Sequence, residues 1–383
     1  MKANDEFECE ILGERLKFRA KFEKFKKFAF LLNFLNFLRP NPLKALLEFI
    51  ILGYNACVIY KKKGEQMQNR RDFLANSAKF GTAALFWLSP LSANATNSSG
   101  AKKESQNLNT NSNKGTKMHF ITLNNGVKMP ILGLGTYGLR GNDGQKAISQ
   151  AIQIGYRLID TAQMYGNEAQ VGAAVANSGV ARSEFFITTK LSSDMSYDET
   201  FVRFDESMKK LRLDFVDLLL IHANYASSKQ MYKAMERLYK DGRIRALGIS
   251  NFNAAAYNDF IGSCEIIPAV NQCQTHIFYQ QKPLRKAMSK HKTILESWSP
   301  FMAGRNDFFK NETLMKIAAK HGKSVAQVAL RFLIEQSIVV IPKTSKEHRM
   351  RENIAVFDFA LDESDKKTLV AMDTNKSAFG WDS

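Results

Sequence analysis

Eight short apolar runs, each with a helical pattern behind it, predict an α/β fold for residues 118–383: a (β/α)8 TIM barrel with a β-hairpin ahead of it. Two observations carry the prediction. The runs are apolar enough to be buried on both faces, as the strands of a parallel sheet are. Strand and helix signals also alternate without a break through these 266 residues, a length that suits eight such repeats.

The elements follow in order. "FITLNNGVKM" reads as a hairpin turned around Asn-Gly. "PILGLG" is then followed by the helix "DGQKAISQAIQIG", and "YRLID" by "NEAQVGAAVAN". "FFITTK" precedes "DETFVRFDESMKKLR", and "VDLLLIH" precedes "SSKQMYKAMERLYKDG". "IRALGISN", "PAVNQ", "ILESWS" and "SIVVIPKT" complete the strands, each with its own helical stretch. One motif competes. "GLGTYG" spells G-x-G-x-x-G after a strand, and Asp160 lies 22 residues beyond its last glycine, as in a dinucleotide-binding fingerprint. That arrangement needs the helix to start at the glycine loop, where its N-terminus meets a pyrophosphate. Here "LRGNDG" intervenes and the natural cap is Asn142 or Asp143, so the barrel is preferred and the doubly wound fold is the minor alternative.

Ahead of the barrel lie three further parts. Residues 1–66 form an apolar and basic extension in which Pro40, Pro42, Lys44 and Glu48 interrupt the longest run. The uninterrupted part, Phe49 to Tyr60, is shorter than the roughly 20 residues of a spanning helix. A membrane-surface anchor is one reading; text upstream of a true start at Met67 is the preferred one. Residues 67–95, "MQNRRDFLANSAKFGTAALFWLSPLSANA", have a basic start with Arg70 and Arg71, an apolar middle and an Ala-x-Ala ending, the anatomy of a twin-arginine-type signal peptide. Residues 96–117 are polar and cannot form a core, which suits a linker. Export to the periplasm by the twin-arginine machinery is expected, with the cytoplasm as the alternative.

The net charge of +17 is divided unevenly. Residues 1–66 hold 13 basic and 8 acidic side chains, residues 67–117 hold 7 and 2, and the barrel holds 34 and 27. A nucleic-acid protein would concentrate its basic residues on the folded body, so that class is excluded. The four cysteines, Cys9, Cys57, Cys264 and Cys273, have no metal-ligand spacing, and a strand "IIPAVNQ" would hold the last two too far apart to bond.

Chemistry in such a barrel gathers where strands end on their carboxyl side. The ionisable residues there are Asp160 after strand 2, Lys190 after strand 3 and His222 after strand 4, with Tyr165 in the loop after strand 2. A phenol titrates near pH 10 and is a poor acid at neutrality unless a cation stabilises its anion. Lys190 is the candidate cation, and Asp160 would offset the cost of burying it. His222 could hydrogen-bond to a carbonyl and orient it. The set could protonate a carbonyl oxygen as hydride reaches the carbon. Each residue alone has a structural explanation: a loop cap, a rim charge, a satisfied core histidine. All four at successive strand ends are harder to explain that way.

In consistent order across residues 119 to 380, "GYRLIDTAQMYGNE", "ITTKL", "DLLLIH", "GRIRALGISNF", "NQ", "WSP" and "IPKTSKEHRMREN" resemble the successive motifs of the aldo-keto reductase superfamily. The resemblance implies Asp160, Tyr165, Lys190 and His222 as a catalytic tetrad, Tyr165 and His222 touching substrate. It implies NADPH-dependent reduction of an aldehyde or ketone without metal. By the same comparison Ser250, Asn251 and Gln272 would bind the nicotinamide carboxamide, Trp298 would stack on the ring with Ser299 a further cofactor contact, and Gly135, Thr136, Tyr137 and Asp160 would line the cofactor's approach. Lys343, Thr344, Ser345 and Arg349 would grip the adenosine 2′-phosphate, with Glu352 and Asn353 near the adenine. Two cations beside small hydroxyl residues after strand 8 independently suit a phosphate.

The sequence departs from the family pattern around the substrate. "AN" follows His222 where many relatives have Trp-Pro, and "NQCQTHIFYQQ" lacks a common Glu-Tyr-His-Pro. The tail "NKSAFGWDS" is short, and no long specificity loop is expected to close over the pocket. A small-molecule carbonyl substrate and a monomer are expected. A non-catalytic NADP(H)-binding regulatory barrel is the rival, which the intact tetrad opposes.

Overall fold

The computed structural model describes residues 118–381 and the backbone of two N-terminal strands, β1 (Asp5–Ile11) and β2 (Glu14–Ala20), which pair antiparallel. The sequence reading assigned no strand to that pair. The proposed signal at 67–95, the linker at 96–117 and the rest of the extension lie outside the described residues. By its contacts the chain divides into two compact units, Met1–Asn107 and Leu108–Ser383, the second holding the barrel.

The hairpin forms as β3 (Phe120–Thr122) and β4 (Lys128–Pro130), but its turn differs from the two-residue expectation. Leu123 N–H bonds Val127 O at 2.9 Å, and only Gly126 adopts a positive φ, of 85°. The result is a three-residue loop with glycine in the left-handed position, where asparagine need not go. Asn124 and Asn125 reach instead to Pro268 O (3.1 Å) and Arg245 O (2.9 Å) near the starts of later strands. The hairpin therefore covers the barrel's amino-terminal mouth and leaves the opposite mouth free.

The barrel strands are β5 (Gly133–Gly135), β6 (Leu158–Asp160), β7 (Phe186–Leu191), β8 (Val216–Ile221), β9 (Ile244–Ser250), β10 (Val270–Gln274), β11 (Ile294–Trp298) and β12 (Val339–Val340). Each pairs in parallel with the next. A bridge between Leu132 and Val340, with Val340 N–H to Ile131 O at 3.0 Å, closes the last strand onto the first. Ten helices surround it: α1 (Gly141–Ile154), α2 (Glu168–Ala176), α3 (Tyr197–Leu211), α4 (Ser228–Lys240), α5 (Ala254–Ile261), α6 (Lys282–Ser289), α7 (Glu312–His321), α8 (Val325–Ile334), α9 (Glu347–Ile354) and α10 (Glu363–Ala371), counted among the described residues.

Local chemistry sets the boundaries. Ser196 with Glu199 and Ser324 with Gln327 form reciprocal capping boxes that start α3 and α8. Inside the barrel Gly248 makes room for a neighbour: a Cβ there would lie 2.4 Å from the Leu220 side chain and 2.7 Å from Val270 O. Helix α1 starts at Gly141, with Arg140 as the extended residue before it, rather than at Asn142 or Asp143. Positive φ at Gly138 and Gly141 turns the chain early, and Asp143 falls in the first turn, where its charge favours the helix dipole. The helix still starts past the third glycine of "GLGTYG", and the eight-stranded barrel removes the doubly wound alternative. Cys273 lies within β10 rather than beyond it, and its thiol points to Asn271 Oδ1 at 3.3 Å.

Candidate active site

The β6–β7 register pairs Asp160 with Thr188, which puts Lys190 two residues further along the same face of β7. Lys190 in turn pairs with Leu220 of β8, and His222 follows two residues later. Tyr165 ends a single turn, Gln163–Tyr165, that leaves β6. The four predicted residues therefore meet at one mouth. Lys190 Nζ, fully buried, donates to Asp160 Oδ1 at 2.6 Å, to Thr161 O at 2.9 Å and to Tyr165 Oη at 3.2 Å. The Tyr165 ring packs edge-on against His222, with centroids 5.7 Å apart.

Burial and charge compete at every member of this set. For Lys190, burial favours the neutral amine, but the Asp160 and Tyr165 charges outweigh it and raise its pKa, so the cation persists. Burial lifts Asp160 from its ordinary value; the Lys190 charge and hydrogen bonds from Lys190 and Gln272 pull against it. Tyr165 corrects the sequence argument. Burial raises its phenol above the ordinary value, and Lys190 only partly offsets that, with Asp160 pushing it up again. The phenol thus keeps its proton through neutrality, and the ammonium stabilises the anion that forms once the proton leaves. Burial, then the Lys190 charge, hold His222 down to about 3, so its ring is neutral.

Gln272 extends the network in a way the sequence reading missed. Its amide nitrogen donates to Asp160 Oδ2 at 2.8 Å and to Glu296 Oε2 at 2.9 Å. Both N–H bonds are committed to carboxyl oxygens, so what Gln272 has left to offer a ligand is its carbonyl oxygen, an acceptor for an amide N–H. Glu296 is fully buried on β11, where burial and the nearby Asp160 push its carboxyl up to about 8. At neutral pH this second acid is therefore mostly uncharged, and Asp160 is the anion that faces Lys190. A lone acid inside the apolar run "ILESWS" was the available signal.

The other predicted cofactor residues sit around the same mouth. Thr136 is buried and donates to Asp160 O at 2.8 Å, and Gly135 passes so close to the segment just after β12 that a Cβ would lie 2.7 Å from Ile341 O. Exposed Tyr137 lies edge-on to Tyr165 at 5.2 Å. Ser250 donates to Gln272 O at 2.7 Å, and Asn251, at a positive φ of 63°, bonds His222 O at 2.9 Å. Trp298 Nε1 donates to Asn251 Oδ1 at 2.8 Å, and Ser299 follows it at a φ of 52°. Lys343, Ser345 and Arg349 are exposed, while Thr344 is buried and accepts from Lys346 N–H at 3.1 Å. No carboxylate pairs with Lys343 or Arg349 among the described residues, and a Cβ on Gly138 would lie 3.9 Å from Lys343 Nζ, which puts a cation beside the glycine loop.

The structure adds detail to three expectations. Asp160 has one oxygen on Lys190 and the other on Gln272, so it acts at least in part through them. Glu352 is held by the Ser324 hydroxyl and Asn353 is buried, which leaves Asn353 little surface for an adenine. The short tail does reach the pocket. Ser377 donates to Gln274 at 2.7 Å, Phe379 packs on Trp298 at 5.3 Å, and Trp381 lies 6.4 Å from His222. Arg305, in the loop after β11, stacks on Phe379 at 4.2 Å and donates to Ala378 O at 2.8 Å.

Comparison with known proteins agrees with this architecture. The model of the aldo/keto reductase family matches residues 131–374. The glyoxal reductase of Bacillus subtilis is 43% identical over 259 residues, covering 67% of this chain and 93% of that protein. MGS-M4, an aldo-keto reductase from a Medee basin deep-sea metagenome, superposes with a TM-score of 0.66 at 42% identity, covering 67% of this chain and 96% of its own. The silkworm aldo-keto reductase AKR2E5, solved in complex with NADPH, gives a TM-score of 0.65 at 33% identity, covering 69% and 90%.

Proposed function

The chain belongs to the aldo/keto reductase family, and from that premise we propose that it reduces an aldehyde or ketone to the alcohol at the expense of NADPH, with Tyr165 as the proton donor. The observation that carries the reading is the buried chain of contacts from Asp160 through Lys190 to the Tyr165 hydroxyl, at 2.6 and 3.2 Å, at the open end of the barrel. NADPH, when bound, supplies the hydride. The residues fit it: Gln272 presents an acceptor to a carboxamide, and Lys343 and Arg349, exposed and without a carboxylate partner among the described residues, are cations suited to a phosphate.

Tyr165 gives its proton to the carbonyl oxygen as negative charge develops there, which a phenol held protonated through neutrality is suited to do. Lys190 stabilises the phenolate left behind, and Asp160 keeps the ammonium charged and in place. His222, neutral and beside Tyr165, orients the carbonyl by a hydrogen bond. Tyr137, Met164, Phe379 and Trp381 give the mouth an apolar and aromatic wall that favours substrates with some hydrophobic surface.

The test is turnover of NADPH by the purified protein with a panel of aldehydes, ketones and dicarbonyls, glyoxal among them because of the relative that bears that name. Reduction with NADPH, and at least about tenfold less efficient reduction with NADH, is expected from the two phosphate-side cations. Tight NADPH binding without turnover across the panel would favour a non-catalytic binding protein instead.

We also propose that the barrel is exported folded across the inner membrane, a reading supported by Arg70 and Arg71, the Ala-x-Ala at Ala93 to Ala95 and the polar stretch behind them. Changing Arg70 and Arg71 together to Lys should trap a fused reporter in the cytoplasm. Unchanged export would contradict this route.

A further inference from the structure

Ser192 follows the last residue of β7, and its hydroxyl touches both sides of the site. Its Oγ accepts from the backbone N–H of Met164, the residue before the catalytic tyrosine, at 3.2 Å. Its own backbone N–H donates to Gln163 Oε1 at 3.2 Å, and Gln163 is anchored to α3 by donating to Arg203 O and Ser207 Oγ, both at 2.9 Å. The hydroxyl is therefore held in position by its neighbours. It has one proton and two acceptors within reach: His222 Nδ1 at 2.8 Å and Lys190 O at 3.2 Å.

On the reading of His222 as the group that orients the carbonyl, we propose that Ser192 is a positioning residue: it donates to His222 Nδ1 and so fixes the tautomer whose Nε2 carries the hydrogen. Distance decides between the acceptors. Hydroxyl donors favour separations of about 2.5–3.0 Å, which the ring nitrogen meets and the Lys190 carbonyl does not. Had the proton gone to Lys190, His222 would donate from Nδ1 to Ser192, and Nε2 would turn a bare lone pair toward the lone pairs of a carbonyl oxygen. Protonating both nitrogens offers no escape, since burial and the Lys190 charge keep the ring neutral. In a neutral ring the partner of one nitrogen determines what the other can do. The Met164 contact adds a second consequence, because the same hydroxyl braces the turn that delivers Tyr165.

The test combines nitrogen NMR of ring-labelled histidine in the full-length protein with kinetics. The His222 signals, identified by their loss in His222→Ala, should show a bare Nδ1 and a protonated Nε2. Ser192→Ala should mix the two tautomers and lower kcat for carbonyl reduction about tenfold, the change expected from one lost hydrogen bond, with KM for NADPH unmoved. Ser192→Thr, which keeps the hydroxyl, should restore both. Hydrogen on Nδ1 in the unmodified protein, or a Ser192→Ala variant with unmodified kcat, would overturn the proposal. The ring signals need no turnover, so a protein inert to every carbonyl would remove the reductase reading while the spectrum still decided the tautomer.

Discussion

Tyr165→Phe is expected to lower kcat for carbonyl reduction by about 10³-fold while NADPH binds as before. The phenol hydroxyl is a neutral acid at the mouth whose departing proton leaves an anion next to a cation: Lys190 Nζ lies 3.2 Å from it. His222 cannot replace it, because its ring is held neutral and has only a weakly acidic N–H to give. The phenylalanine ring fits the space and preserves the edge-on packing against Tyr137 and His222, so folding should be little changed. Fluorescence titration with NADPH and single-turnover hydride transfer would separate the two effects. Retained turnover within tenfold of the unmodified enzyme would remove Tyr165 as the acid.

Lys190→Met should be costly in two ways. Activity should fall by a similar factor, since nothing then stabilises the phenolate and the burial that raises the phenol is no longer offset by a cation. Folding stability should also fall, by about 3–5 kcal/mol, because a buried carboxylate is left without its cation. The sign of the pH response follows. With Lys190 gone, burial raises Asp160 in the folded state above its unfolded value. The folded variant then holds a proton that the unfolded chain gives up, so its stability is greatest below the unfolded carboxyl pKa and is lost as pH rises toward the folded one. Denaturant midpoints measured from acidic to neutral pH would show this. Combining Lys190→Met with Asp160→Asn should recover much of the stability and none of the activity. A single variant as stable as the unmodified protein at neutral pH would contradict the buried-pair account.

What the sequence disclosed follows from where the information lies. Asp160, Lys190 and His222 each lie at or beside the end of an apolar strand, and an ionisable residue in that position is visible without knowing its partners. The eight strands were legible for the same reason, being apolar on both faces. Ser192 was not, because a serine after a strand is ordinary until its distance to His222 Nδ1 is known. Glu296 sat in plain view within β11, but its importance depends on Gln272 bridging to Asp160 across the barrel interior. The tail's contacts were not legible, because its reach depends on where it starts, not on its length. The Ser377 contact to Gln274 sets it down beside the mouth, and Phe379 and Trp381 fall over the pocket. The phenol's acidity was misjudged too, because the sequence shows the cation but not how deeply the pair is buried.

A crystal structure of the NADPH complex measures the central arrangement most directly. Lys190 Nζ is expected within hydrogen-bonding reach of both Asp160 and the Tyr165 hydroxyl, with that hydroxyl facing the space where a carbonyl would sit. A loaded enzyme in which the ammonium has left either neighbour would contradict it.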